Sequence, residues 1–134
     1  TISSVTVLAL IRPQEKAGLD ATLLTMISDV KAQQTKAMSG NTSSSYGVYF
    51  ENRRYVLFKG LAYDPSGSDN FSISLDSPIQ IINITFPGSV VVFQKGSGEV
   101  LNFTSGQNGL TIRNTSGGES STFVINKYGA IQKN

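Results

Sequence analysis

The sequence contains no cysteine, no histidine and no tryptophan. Without cysteine, the chain has no disulfide, no thiol nucleophile and no Cys/His zinc site. Without histidine, it has no imidazole for acid–base catalysis near neutral pH. A packed apolar core therefore has to hold the fold, and the enzyme classes that depend on these two side chains are excluded.

Charge is also scarce. Charged residues make up 15% of the chain, and 11 basic against 9 acidic side chains leave a net charge of +2. This near balance does not favour a polyanionic partner. Most of the polarity comes from Ser, Thr, Asn and Gly, a composition that fits a surface exposed outside the cytosol. The length of 134 residues suits one domain with its own core.

An apolar run, residues 2–11, follows Thr1. It is too short to cross a bilayer, because a spanning helix needs about 20 apolar residues. It also lacks the basic start and the small-residue cleavage site of a secretory signal. Two interpretations stay open: an ordinary buried strand or helix, or the second half of a membrane helix whose first half lies upstream.

Residues 14–39 have the spacing of an amphipathic helix of about seven turns. Gly18 weakens this helix locally, and Ser39-Gly40-Asn41 is expected to end it. Pro13 either kinks one longer helix or begins this one. The apolar face consists of Leu19, Leu23, Met26, Ile27, Val30 and Ala37, and Asp20, Asp29, Lys31, Gln33 and Lys36 are expected on the polar sides.

After Gly40 the sequence consists of short apolar segments separated by turn residues. Asn52 and Arg53 favour a hairpin, and the alternation of Phe71, Ile73 and Leu75 indicates a half-buried strand. The predicted strands are 46–51, 54–59, 71–75, 79–86, 90–93, 100–103, 110–113, 122–126 and 130–133.

One helix followed by a run of strands predicts the α+β class: a long N-terminal α-helix packed on an antiparallel β-sheet domain. The helix takes residues 1–39, divided into an apolar part, 1–13, and an amphipathic part, 14–39, that packs on the sheet. The β domain takes residues 40–134.

The best candidate for a metal site is a loop that contains Asp64, Ser66, Ser68 and Asp69. Closely spaced oxygen donors suit calcium. However, the spacing does not match an EF-hand loop, and Asp-Pro and Ser-Gly are ordinary turn sequences. The turn interpretation is preferred, so no metal is expected here.

No catalytic set can be assembled from the remaining side chains. The sequence has no Gly-x-Ser-x-Gly motif and no phosphate-binding Gly-rich motif before a helix. The carboxylates are scattered through turns and polar faces, and nothing marks two of them as a glycosidase-type pair. The chain is therefore not expected to be an enzyme or to bind a cofactor.

A small group of basic and aromatic residues could bind single-stranded DNA. It contains Arg53 and Arg54 together with Tyr49, Tyr55 and Phe58. The preferred interpretation is that the aromatic rings pack the sheet while both arginines lie in the turn. Nucleic acid is therefore not an expected partner.

Taken together, these segments resemble bacterial type IV pilins and type II secretion pseudopilins, in particular the GspH/FimT-type minor subunits. The resemblance covers nearly the whole chain. The segments that carry it are IRPQEKAGLDA at 11–21 and DVKAQQTKAM at 29–38 in the helix, YGVYF at 46–50, YVLFKG at 55–60 and VVF at 91–93 in the sheet, and FVINKYGAI at 123–131.

The resemblance implies a filament subunit with no chemistry of its own. The expected partners are other pilin or pseudopilin subunits, and the inner membrane before assembly. The expected location is the cell envelope, followed by a pilus or a periplasmic or extracellular filament. The implied filament-packing residues are Val5, Val7, Leu8, Leu10 and Ile11, and Leu19, Leu23, Ile27 and Val30 are implied to seat the helix on the sheet.

Three features of the family are not matched in this sequence. Its most specific signal, an aromatic N-terminus before an apolar helix with Glu at the fifth place, would lie upstream of Thr1. Some FimT-like members bind DNA through basic residues around the terminal glycine, but residues 129–133 contain one Lys and no Arg. Calcium sites of major pseudopilins are also not matched.

An alternative function is a secreted carbohydrate- or surface-binding β module on a helical stalk. It would use exposed tyrosines as platforms for the ligand. The tyrosines considered for this role are Tyr46, Tyr49, Tyr55 and Tyr63.

Overall fold

The computed structural model describes the backbone of residues 2–39 and 44–133, with side chains described from Gly18 onward. This part of the chain consists of one long helix, α1 (Ile2–Met38), a single 3-10 turn at Pro87–Ser89, and eight strands. The strands are β1 (Tyr46–Phe50), β2 (Arg54–Lys59), β3 (Phe71–Ser74), β4 (Ile79–Ile82), β5 (Val90–Phe93), β6 (Gly109–Asn114), β7 (Ser120–Ile125) and β8 (Ile131–Lys133).

The strands form two antiparallel sheets of four strands each. Sheet A has the order β3-β2-β1-β5, and sheet B has the order β4-β6-β7-β8. Helix α1 contacts β1 and β5 of sheet A and also β6 and β7 of sheet B. The helix is therefore the element that both sheets share, and the predicted α+β class is confirmed.

Helix α1 is continuous through Pro13, because its backbone is helical from Ile2. The alternative in which Pro13 begins the helix is wrong. At the other end, the Ser39 N–H donates to Thr35 O (3.0 Å), and the Ser39 hydroxyl donates to Lys36 O (2.9 Å). These bonds satisfy carbonyl groups that the last turn leaves without a helical partner. The predicted terminators Gly40 and Asn41 lie outside the described residues.

The main core lies between α1 and the inner faces of the two sheets. Phe50 of β1 lies at its centre: its ring stacks on Phe86 (centroids 5.4 Å apart) and meets Phe123 of β7 edge-on (6.4 Å). The ring contacts join sheet A directly to sheet B. Aromatic pairs in these geometries add about 0.5–1.5 kcal/mol each beyond the area they bury.

The predicted hairpin at Asn52–Arg53 is confirmed, with Phe50 paired to Tyr55 across the turn. The limits of most strands differ from the prediction by one or two residues, and two strand predictions are wrong by more. Strand β4 ends at Ile82, because Asn83 takes a left-handed φ of 50° that an extended strand does not accommodate. Of the predicted strand 100–103, only Val100 pairs, in a single bridge to Phe93.

The β3 prediction is also partly wrong. Phe71 of this edge strand is 64% exposed, although Leu75 is buried and Ile73 packs against the core. The hydrophobic alternation is present, but Phe71 lines a groove together with Gln33 and Lys36 of α1. Phe71 therefore lies over an open groove instead of the core.

The outer face of sheet A is also buried, which a simple inside–outside alternation does not predict. Val56, Phe58 and Val92 are buried on this side, away from the main core. The Phe58 ring lies against Gly47, and Tyr63 from the following loop packs on Phe58 (5.7 Å). A small second apolar cluster thus covers this face of sheet A.

Candidate functional site

The C-terminal half of α1, residues 18–38, packs against the core along one face and is called the docked half below. Leu19, Leu23, Ile27 and Val30 are all buried, and each belongs to the main core. Their spacing of three and four residues places them on one stripe of the helix. The structure therefore brings the four residues implied for helix–sheet packing together against the sheets.

The opposite face of this half is exposed and consists mostly of small residues. Apart from Leu24, Lys31 and Lys36, it contains no long side chain before Met38. Its small exposed residues are Gly18, Ala21, Thr25, Ser28, Ala32 and Thr35. Small residues allow the backbone of another helix to approach closely.

Gln33 connects α1 to sheet A. Its side chain is 2% exposed, and Nε2 donates to Gly47 O (2.8 Å) and to Phe58 O (3.0 Å). Gly47 and Phe58 are paired across β1 and β2; the Phe58 ring lies on the outer face, where a Cβ on Gly47 would meet it. The helix-facing side of this pair is therefore bare backbone, which the buried amide can reach.

Gln34 connects the same helix turn to two loops. Its Nε2 donates to Gly98 O (3.0 Å), in the turn after β5, and to Tyr128 O (3.0 Å), in the turn between β7 and β8. Close by, the Gly96 N–H donates to Ala37 O (2.9 Å) near the end of the helix. One side chain thus ties α1 to loops of both sheets.

A third polar contact fixes the middle of the docked half. The Tyr55 hydroxyl donates to Asp29 Oδ2 at 2.6 Å. Burial, together with this bond to Asp29, holds the pKa of Tyr55 well above its ordinary value. The phenol therefore keeps its proton, and the hydrogen bond to Asp29, at any physiological pH.

Sequence reasoning missed Gln33, which was expected on a polar side of the helix and is buried instead. The signal that could have found it is spacing, since Gln33 stands three residues after Val30 and four before Ala37, two buried positions. A polar residue on the apolar stripe needs a buried hydrogen-bond partner, and here the sheet backbone supplies two. Nothing in the sequence indicates the partners of Gln34, because they come from turns far along the chain.

The residues implied for filament packing lie in the N-terminal half of α1. Val5, Val7, Leu8, Leu10 and Ile11 are part of the same continuous helix as the docked half, but their side chains fall outside the described ones. Within the described residues, no helix combines the length and the apolar character that crossing a membrane requires.

The loop proposed as a weak metal candidate forms a turn closed by its own hydrogen bonds. Asp64 Oδ1 accepts from the Ser66 N–H (3.0 Å) and from the Ser66 hydroxyl (2.8 Å), and Asn70 Nδ2 donates to Asp64 O. The bonds from Ser66 lower the pKa of Asp64 below its ordinary value. In the described part of the chain, no three acidic, His or Cys residues are grouped as a metal site would require.

The structure buries two of the three aromatic rings in the basic and aromatic group around the β1–β2 turn. Tyr55 and Phe58 are both 1% exposed, so their rings are not available to bases. Arg54 is held by Glu51 through a salt bridge of 2.8 Å, which also raises the pKa of Arg54. Arg53 remains exposed in the turn.

The tyrosine platforms of the alternative function are also not free. Tyr46 and Tyr55 are buried. Tyr49 and Tyr63 are half-buried and stack on each other, with centroids 4.2 Å apart and planes 5° apart. Each of these two rings therefore has one face already covered by the other.

A groove of about 740 Å³ lies between the end of α1 and strand β2. Leu57 and Phe71 are among its apolar residues, and Lys36, Lys59 and Asp69 are its charged ones.

Comparisons of the chain with family models, with curated proteins and with solved structures found no match.

Proposed function

We propose that this chain is a structural subunit of a type IV pilus or a type II secretion pseudopilus, of the GspH/FimT-like kind and with the type IV pilin-like fold. In this proposal the subunit assembles through the N-terminal half of α1, and the β domain covers the outside of the filament. Its partners are other subunits, and the inner membrane holds it before assembly.

The observation that carries the proposal is the length of α1. Its 37 residues make a helix about 55 Å long, whereas strands of four to six residues span only about 13–20 Å. The docked half, residues 18–38, is the part whose apolar stripe enters the core. Residues 2–17 add about 24 Å of helix whose sequence begins with an apolar run.

A long helix serves as an assembly element only if its domain holds it firmly. Three kinds of contact hold the docked half in the domain. They are four buried aliphatic side chains, the hydrogen bonds from the Gln33 and Gln34 amides, and the hydrogen bond from Tyr55 to Asp29. The small exposed residues of the same half would let neighbouring helices approach closely in a bundle. These features support a subunit that acts by packing, with no catalytic role.

The test is to replace Leu8 with glutamate in the full-length protein of its native host and to recover sheared filaments. A carboxylate buried in a helix bundle without a partner costs several kcal/mol, so the filament yield is expected to fall at least about tenfold. The matched control is Leu61→Glu, because Leu61 is 72% exposed in a loop of the β domain. Normal assembly of the Leu8→Glu protein would contradict the proposed function.

A further inference from the structure

The two adjacent glutamines of α1 form hydrogen bonds to different parts of the β domain. Successive helical residues point about 100° apart, so Gln33 and Gln34 reach separate surfaces from a single turn. Gln33 bonds to the backbone of β1 and β2, and Gln34 bonds to the backbone of two loops. Together their two amide groups donate to four carbonyl oxygens, two in sheet A and two in loops.

These bonds restrict a motion that the apolar contacts permit. Hydrophobic burial has no preferred direction, so an apolar stripe tolerates a small roll of the helix. Hydrogen bonds do not, because N–H···O bonds keep donor–acceptor distances of about 2.7–3.2 Å and weaken steeply when the angle at the hydrogen falls below about 120°. A roll of about 20° moves an amide that lies about 6 Å from the helix axis by about 2 Å, enough to break each bond.

We propose that Gln33 and Gln34 are positioning residues that fix the rotation and the axial position of α1 relative to both sheets. They thereby determine which face of residues 2–17 meets a neighbouring subunit. This inference rests on the proposed function, which it extends from the helix as a whole to two named side chains.

The length of α1 makes this positioning consequential. The helix runs about 26 Å from Leu19, the first buried residue, to Ile2, so a tilt of about 10° displaces the far end by about 4 Å. That displacement is about half the distance between two packed helices. A subunit whose helix is loosely held would therefore present the wrong surface at the filament axis.

The turns around Gln34 are shaped for this contact. Gly98 and Gly129 have φ of +71° and +86°, values that favour glycine. A Cβ on Gly129 would overlap the Gln34 amide, and a Cβ on Gly98 would lie 2.6 Å from the Met38 side chain. Glycine at both positions thus provides the close approach that lets one amide bond to two turns.

The experiment uses the absence of cysteine in the chain, which allows two spin labels to be placed without background. Ser28→Cys on the exposed face of α1 and Ser120→Cys at the start of β7 carry the labels, both positions being exposed. The test variant is Gln33→Met with Gln34→Met, which keeps side-chain length and helix propensity but removes the donors. The control is Gln107→Met with Gln132→Met, two exposed glutamines elsewhere.

The wild-type and control proteins are expected to give one narrow distance distribution. In the Gln33/Gln34 variant the distribution is expected to shift or widen by at least about 3 Å while thermal unfolding remains cooperative. An unchanged distribution in the folded variant overturns the inference. If the double variant does not fold, the single variant Gln34→Met, which keeps the buried Gln33, is measured instead. Its distance distribution is expected to shift, and an unchanged distribution overturns the inference.

Filament yield in the native host separates the two proposals. A changed distance distribution with at least about tenfold fewer filaments supports the positioning role. A changed distribution with normal filaments overturns that role in assembly but leaves the proposed function intact. Normal filaments from the Leu8→Glu protein overturn the proposed function, whatever the label distances show.

Discussion

Replacing Leu23 with alanine is expected to lower the free energy of unfolding by about 2–5 kcal/mol. Leu23 is fully buried on the docked face of α1, where it contributes to the core that the helix shares with both sheets. The loss combines the apolar area that is no longer buried with the cavity that remains. Urea denaturation followed by circular dichroism measures the change.

The neighbouring residue provides the control. Leu24→Ala makes the same chemical change one position along, but Leu24 is 55% exposed. Its effect is expected to stay within about 0.5 kcal/mol. If the two substitutions were equally destabilising, α1 would have to be rotated about its axis, and the assignment of its docked face would be wrong.

Gly47→Ala is expected to cost about 1–3 kcal/mol, because sheet A has no room for one more methyl group at this position. A Cβ at Gly47 would lie 2.6 Å from the Phe58 ring and 2.6 Å from the carbonyl oxygen of Val91. The ring is buried and the oxygen belongs to the β5 backbone, so relief requires a movement of the sheet itself. Thermal and urea unfolding both measure this loss.

Gly18→Ala is expected to raise the free energy of unfolding, whereas Gly47→Ala lowers it. Gly18 lies inside α1 and is exposed, and a Cβ added there would have no neighbouring atom within 4 Å. Alanine at this position is expected to stabilise the helix by up to about 1 kcal/mol, through helix propensity alone. Destabilisation at Gly18, or none at Gly47, would contradict the packing of these two positions.

Much of the fold follows from sequence periodicity. The apolar spacing of Leu19, Leu23, Ile27 and Val30 predicts the buried stripe of α1, since helical geometry places these residues on one face. The limits of β2 and β5 are also predicted correctly, because clear turn residues flank both segments.

The errors occur where distant parts of the chain decide the outcome. Gln33 is polar but buried, because β1 and β2 present two carbonyl groups that only the tertiary structure brings to it. Gly47 and Phe58, whose carbonyl groups accept these bonds, lie 14 and 25 residues from Gln33 along the chain, so the local periodicity does not report them.

The candidate site is also predictable from the sequence only in part. Sequence pattern identifies the helix and its docked face, but the hydrogen bonds that orient the helix come from turns at Gly98 and Tyr128, more than 60 residues away along the chain. No local pattern encodes such pairings.

The most direct measurement compares the full chain with a fragment of residues 14–134, which lacks the apolar start. If the docked half of α1 and the two sheets form the domain while the apolar start serves contacts between subunits, the fragment is expected to be a folded monomer. Its near-ultraviolet circular dichroism and its cooperative unfolding should be preserved, and it should sediment as a monomer. A fragment that is unfolded would show that the apolar start belongs to the core, and would contradict the account.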